Sequence, residues 1–151
     1  MAWLNQTLLI LHVLACFYWF GVTATLSSRI RDALSTNGVH TANVLKALAD
    51  RSLMTNLAAL VVLGTGLGLL FSVYGGFGGA PPRFHMGLTL ALIWFAVGAF
   101  MVRPKLNAIS AAVRGDAVGP DAEPLRKRIA MLTGIQHLLF AIVLVTMLWR
   151  Y

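Results

Sequence analysis

Three histidines lie inside apolar stretches, and they are the residues here most able to do chemistry. His12 sits in LILHVLACFYWFG (9–21), His85 in RFHMG (83–87) and His137 in LTGIQH (132–137). An imidazole placed in hydrocarbon is costly, and intramembrane polar residues are candidates for function by default. Such a ring either hydrogen-bonds across to another helix or ligates a metal. Asn5, His12 and Trp19 are spaced by seven, so on a helix they share one face, and Cys16 lies one turn from His12. Asn56, Trp94, Thr133 and Gln136 are the other polar or indole-bearing residues within apolar runs that could meet these rings. His40 falls in a basic connection and is expected to be solvated.

The elements that must position them follow from composition. The 151 residues are 58% hydrophobic and only 11% charged, with a mean hydropathy of +0.78. A soluble domain carries about twice that charge, so the chain reads as an integral membrane protein whose first partner is the lipid bilayer. Its net charge of +7 could suggest nucleic acid. The basic residues fall between the apolar runs, however, as topology signals do, and no groove-reading motif accompanies them. No nucleic-acid partner is expected. Cys16 is the only cysteine, which excludes an internal disulfide and any CxxC motif. The six methionines are scattered, unlike the clustered Cys and Met of a Cu(I) site.

Four stretches approach the ~20 residues needed to cross a bilayer, at about 3–27, 52–74, 83–102 and 129–149. Backbone groups in lipid must be satisfied internally, and none of the four alternates as a barrel strand would, so each is expected to be a helix. The first has no basic leader or cleavage site and is read as a retained span. The expected fold is a single all-α membrane domain, 1–151, with four transmembrane helices in an up-down-up-down antiparallel bundle. Connections 28–51 and 103–128 hold ten of the twelve Lys and Arg, which places both on the cytoplasmic side and both termini outside. Trp3, Tyr74, Trp149 and Tyr151 then fall at the outer interface. VLKALA (44–49) could form a short surface helix, whereas RGDAVGPDAEP (114–124) has the chemistry of a mobile loop. Arg103 and Lys105 should anchor the inner end of the third helix, which Pro104 is expected to bend or end. Gly64 and Gly68 have GxxxG spacing, suited to close helix packing or to a flat cofactor against the backbone.

Depth sorts the histidines. Counted at about 1.5 Å per residue, His12 lies roughly 14 Å and His137 roughly 18 Å below the outer surface, while His85 lies about 3 Å down. His12 and His137, on the first and last helices of a closed bundle, could therefore bridge one haem iron. Haem b is the expected cofactor, one or two copies, with His12 as axial ligand and His137 or His85 as its partner. Trp19 could wall the pocket, and Arg83, the only basic residue of the second connection, is the better partner for a haem propionate lying high. The alternative is a histidine that only hydrogen-bonds across helices, worth about 0.6 kcal/mol.

LHVLACFYWFG and RFHMG resemble segments of small four-span bacterial membrane proteins, the group that includes HemJ-type protoporphyrinogen oxidases and CopD-like copper-resistance domains. His12, Trp19 and Gly21 match the group's first-helix pattern, and His85 falls on the histidine that opens its third helix. The resemblance covers the four-span topology and about a dozen motif residues. It implies a bacterial inner (cytoplasmic) membrane location and a histidine-ligated b-type haem in the upper half of the bundle. Two departures stand out. Gly87 replaces the lysine of the HemJ third helix, and LTGIQH replaces the segment that opens its last helix.

These features predict a b-type haem protein with a redox or electron-transfer role, alone, as a homo-oligomer or beside other membrane redox subunits. A HemJ-like protoporphyrinogen oxidase and a cofactor-free accessory subunit are the alternatives. An ion or proton carrier is not expected, because no Asp, Glu, Lys or Arg lies in the interior of a span, Arg83 standing only at the outer edge of the third.

Overall fold

A computed structural model describes residues 2–35, 41–114 and 117–148. The expectations for His40, Trp149 and Tyr151 lie outside these residues. Four helices are long and apolar enough to cross a membrane: Ala2–Ser35, Thr41–Tyr74, Pro82–Ala112 and Ala122–Leu148. We label the first two α1 and α2. The third comprises α3 (Pro82–Ala96), a π segment (Val97–Val102) and α4 (Arg103–Ala112), and the fourth is α5. Between 11% and 28% of the most apolar window of each helix is buried, so most of the apolar surface faces outward. Trp3, Phe100 and Leu148 are at least 72% exposed. Only lipid solvates such a surface at low cost, and the chain is a multi-pass membrane protein.

The helices outrun the expected spans at the basic end. Most of residues 28–51 belong to the ends of α1 and α2, so Arg29, Arg31, Lys46 and Arg51 ride on helices instead of a loop. VLKALA is part of α2, not a separate surface helix. Within the third connection, α4 continues to Ala112, and a two-residue antiparallel ladder pairs Val113 with Val118 and Arg114 with Ala117. Among the described residues, the expected loop is thus reduced to this ladder and the approach to α5.

Pro104 does not end the third helix. It occupies the first turn of α4, where its missing N–H is tolerated. The turn before it is already loosened: the Arg103 N–H bonds the Gly98 carbonyl, five residues back. This π turn absorbs the clash that a proline makes with the preceding turn. It also inserts one residue into the pattern. Gly87 and Trp94 are buried seven apart, but the next buried residue is Val102, while Met101 is 45% exposed.

Contacting positions on α1 and α2 run in opposite order. Leu8 packs on Gly68 and His12 on Gly66, and near the other end the Thr41 hydroxyl donates to the Ala33 carbonyl. The closely packed glycines are therefore Gly66 and Gly68, and a side chain at Gly64 would meet nothing within 4 Å. The larger buried cluster gathers Leu26, Ile30, Leu45, Leu106, Ile109 and Ile129 at the basic end. A smaller one holds Trp19, Ala59, Val62 and Trp94 further along the bundle. The imbalance has a physical cause. Lipid is as apolar as leucine and drives little burial, whereas helix ends that emerge into water must cover their apolar faces.

Candidate functional site

His12 is half-buried on α1 and turns toward α2. Its Nδ1 lies 3.0 Å from the Val62 carbonyl oxygen and 3.0 Å from the Thr65 hydroxyl oxygen. The Thr65 hydroxyl in turn donates to the Val61 carbonyl at 2.6 Å. A carbonyl can only accept, so a hydrogen bond to it requires the proton on Nδ1, and in the neutral ring Nε2 then keeps its lone pair. Gly66 makes this approach possible: a methyl group there would come 3.1 Å from His12 Cε1. Nε2 of His12 makes no hydrogen bond among the described residues.

His137 does not face it. Its ring meets Phe20 edge-on, with centroids 5.7 Å apart, and Phe20 lies eight residues beyond His12 on α1. Along a helix that offset is about 12 Å, so the level match expected from counting depth is not realised. An aromatic cluster occupies the space beside His137. Phe20 stacks on Phe140 at 4.2 Å, Trp94 lies 5.1 Å from Phe140, and Trp19 stacks on Trp94 at 3.8 Å with the planes 22° apart. The bundle centre is filled by rings, and the structure does not bring His12 and His137 together across a flat group. Trp19 belongs to this stack and is buried, whereas His12 sits on the α2 side of α1.

His85, in the first turn of α3, stacks on Phe77 at 5.9 Å, past the end of α2. Its neighbour Arg83 spreads its guanidinium over the Phe84 ring, 5.2 Å from the centroid. The offset between His85 and His12 expected from their depths is therefore retained, and no hydrogen bond or ring contact joins any two of the three imidazoles. Among the described residues no group of three or more His, Cys, Asp or Glu could hold a metal ion.

Two buried polar atoms near this cluster lack partners, Nε2 of His137 and Nε1 of Trp94, and a third is Oε1 of Gln136. The Gln136 amide donates through Nε2 to the Trp94 carbonyl at 3.3 Å. That contact needs Gly98, because a methyl group there would come 3.0 Å from Gln136 Nε2. Buried amides and imidazoles left unpaired are costly: Gln136 Oε1 can only accept a hydrogen bond, the Trp94 indole N–H can only donate one, and His137 Nε2 does one or the other according to its tautomer.

Counting charges did not anticipate a cavity of about 610 Å³ lined by Arg29, Arg51, Arg103, Trp19, Phe95 and Gln136, among others. Arg103 was expected to snorkel, and Arg29 and Arg51 to specify topology. The missed signal was their convergence, which depends on α1 and α2 remaining helical beyond the apolar runs.

No protein-family model matches the chain, and no curated protein or solved structure matches it. The site must be argued from its own geometry. At position 87, where a resembling HemJ helix has lysine, Gly87 is buried against Met147, and a side chain there would run into the methionine. The position serves contact between α3 and α5.

Proposed function

We propose that the chain is a b-type haem-binding membrane protein with a redox role, in which His12 supplies an axial nitrogen through Nε2. One observation carries this reading: the Nδ1–H of His12 is held by the Val62 carbonyl. Histidines that ligate metals characteristically donate their other ring proton to a carbonyl or carboxylate, which fixes the tautomer and orients the ring. His12 has that arrangement on a rigid helix, with Nε2 unclaimed. A haem bound there would supply a one-electron couple. His137, whose buried Nε2 also lacks a partner, is the second candidate ligand, for a separate group and not for one shared with His12. Protoporphyrinogen oxidation is not favoured, since Gly87 stands where the resembling group has its lysine.

The same hydrogen bond supports a second reading. A histidine tied to α2, beside a Trp19–Trp94 stack, also suits a cofactor-free accessory subunit whose polar groups knit helices together. The absorption spectrum of the purified, dithionite-reduced protein separates the two. Sharp Soret and α bands that disappear in His12→Ala support haem ligation by this residue. A bare protein spectrum supports the accessory role, and full haem retention in His12→Ala removes His12 as the ligand.

A further inference from the structure

The cavity at the basic end holds three guanidiniums that none of the described carboxylates neutralises. Arg29, Arg51 and Arg103 come from α1, α2 and α4, and all line it. The ion pairs formed elsewhere are Arg31 with Asp32, and Glu123 with Arg126 and Lys127. Asp32 shares a neighbouring groove with Arg29 and Arg51, but no carboxylate lines this cavity. Arg29 and Arg51 are exposed and Arg103 is half-buried, and three cations lining one concavity make it a favourable place for an anion.

The opposite end has different chemistry. Gln136 is 1% exposed and lines the cavity. Its Nε2 is already donated to Trp94, and its Oε1 has no partner. An amide oxygen only accepts, so whatever meets it must carry an O–H or N–H. Arg103 lies five residues beyond Gly98, the residue under Gln136, an axial separation of about 7.5 Å. Thr25, Ser52, Thr55 and Asn56 add polar groups to the lining, and two of its other walls, Phe17 and Tyr18, are more than half exposed and apolar in bulk. They face the side on which lipid lies. The volume falls within the range of about 300–1,000 Å³ usual for small-ligand pockets, room for one acyl chain beside a small head.

We infer that this cavity binds a monoacyl glycerophosphate amphiphile, its phosphate among Arg29, Arg51 and Arg103 and its free glycerol hydroxyl on Oε1 of Gln136. The chain then runs past Trp19 toward Phe17 and the membrane. Basic pockets between transmembrane helices hold anionic head groups in the same way. None of His12, His85 and His137 lines the cavity, so the inference does not rest on haem binding.

The test is native mass spectrometry of the detergent-purified full chain with four probes: lysophosphatidate, lysophosphatidylcholine of the same chain, diacyl phosphatidate, and glycerol phosphate. One equivalent of lysophosphatidate should bind at least ~10-fold more tightly than each of the other three. Arg51→Ala with Arg103→Ala should lose that preference over lysophosphatidylcholine, and Arg51→Lys with Arg103→Lys should restore part of it. Gln136→Leu should narrow the gap between lysophosphatidate and diacyl phosphatidate alone, which also guards against simple unfolding of the arginine variants. Equal uptake of all three lipids would overturn the proposal, as would preference unchanged by arginine removal. Binding of glycerol phosphate as strongly as lysophosphatidate would replace the lipid with a soluble ligand.

Discussion

The imidazole Nδ1 of His12 lies 3.0 Å from the carbonyl oxygen of Val62, fifty residues along the chain. The Thr65 hydroxyl lies at the same distance from the same nitrogen. Thr65→Val keeps the shape of the side chain and deletes only the hydroxyl. A loss of about 0.6 kcal/mol is expected, the usual worth of an interhelical hydrogen bond in a membrane, read from unfolding in mixed micelles. Because the Val62 carbonyl remains, haem content should not change if His12 is the proposed ligand. A loss above about 2 kcal/mol would show that the hydroxyl, not the carbonyl, holds the ring.

Gly66 and Gly64 make a matched pair. A methyl at Gly66 would press on His12 Cε1 at 3.1 Å, while one at Gly64 would meet nothing within 4 Å. Gly66→Val should therefore displace the imidazole and destabilise the α1–α2 contact by about 1–3 kcal/mol, the cost of overpacking. Gly64→Ala should leave stability within about 0.5 kcal/mol or raise it. Equal effects at the two positions would contradict the approach of His12 to α2.

The Trp19–Trp94 stack predicts a large packing term. Trp19 is 2% exposed and meets its partner ring at 3.8 Å. Trp19→Ala should cost about 3–5 kcal/mol, the range for aromatic truncation in cores. Trp19→Phe should recover most of it. Thermal unfolding followed by far-UV circular dichroism gives the comparison.

Gly98→Ala should act through Gln136. The new methyl would lie 3.0 Å from the amide nitrogen, which must leave the Trp94 carbonyl or tilt away from it. The expected loss is about 1–3 kcal/mol, because the buried Gln136 amide N–H loses its acceptor, whereas the Trp94 carbonyl keeps the Val97 N–H. In a Gln136→Leu background Gly98→Ala should cost much less. Additive losses in the double variant would separate the two residues.

The buried cluster at the basic end joins the close of α1, the start of α2, α4 and the start of α5. Single cysteines at Ser35 and Pro120, placed in a Cys16→Ala background, should thus react with an impermeant thiol reagent from one and the same side of the membrane. The charge pattern predicts that this side is the cytoplasm. Labelling from opposite sides would overturn the arrangement.

The four spans were legible because apolar runs of this length have few other uses. Their ends were not. An apolar-run count stops at the first arginine, but α1 and α2 continue because Ile30, Leu45 and Leu48, packed with Leu26, bury a helical face beyond the apolar runs. Pro104 reads as a stop signal, yet the π turn before it lets the helix pass. The histidines were legible as chemically expensive residues. Their partners were not, because depth along a helix says nothing of rotation about its axis. His12 therefore meets Val62 and Thr65 instead of His137. Gln136 could be noticed only as a polar residue, since its missing partner becomes visible only once Trp94 and Gly98 are placed beside it.

The π turn at Val97–Val102 also resets the phase of the third span. One surplus residue turns everything after it by about 100° relative to an uninterrupted helix. Superposed on a regular transmembrane helix, the span would agree through Ala96 and then present the wrong side, putting Met101 where Val102 belongs. Val102, Leu106 and Ile109, all buried, would be assigned to the outside, and the inward direction of Arg103 would vanish from view. Comparison with any other four-span protein must therefore be made in two blocks, with a one-residue gap between them.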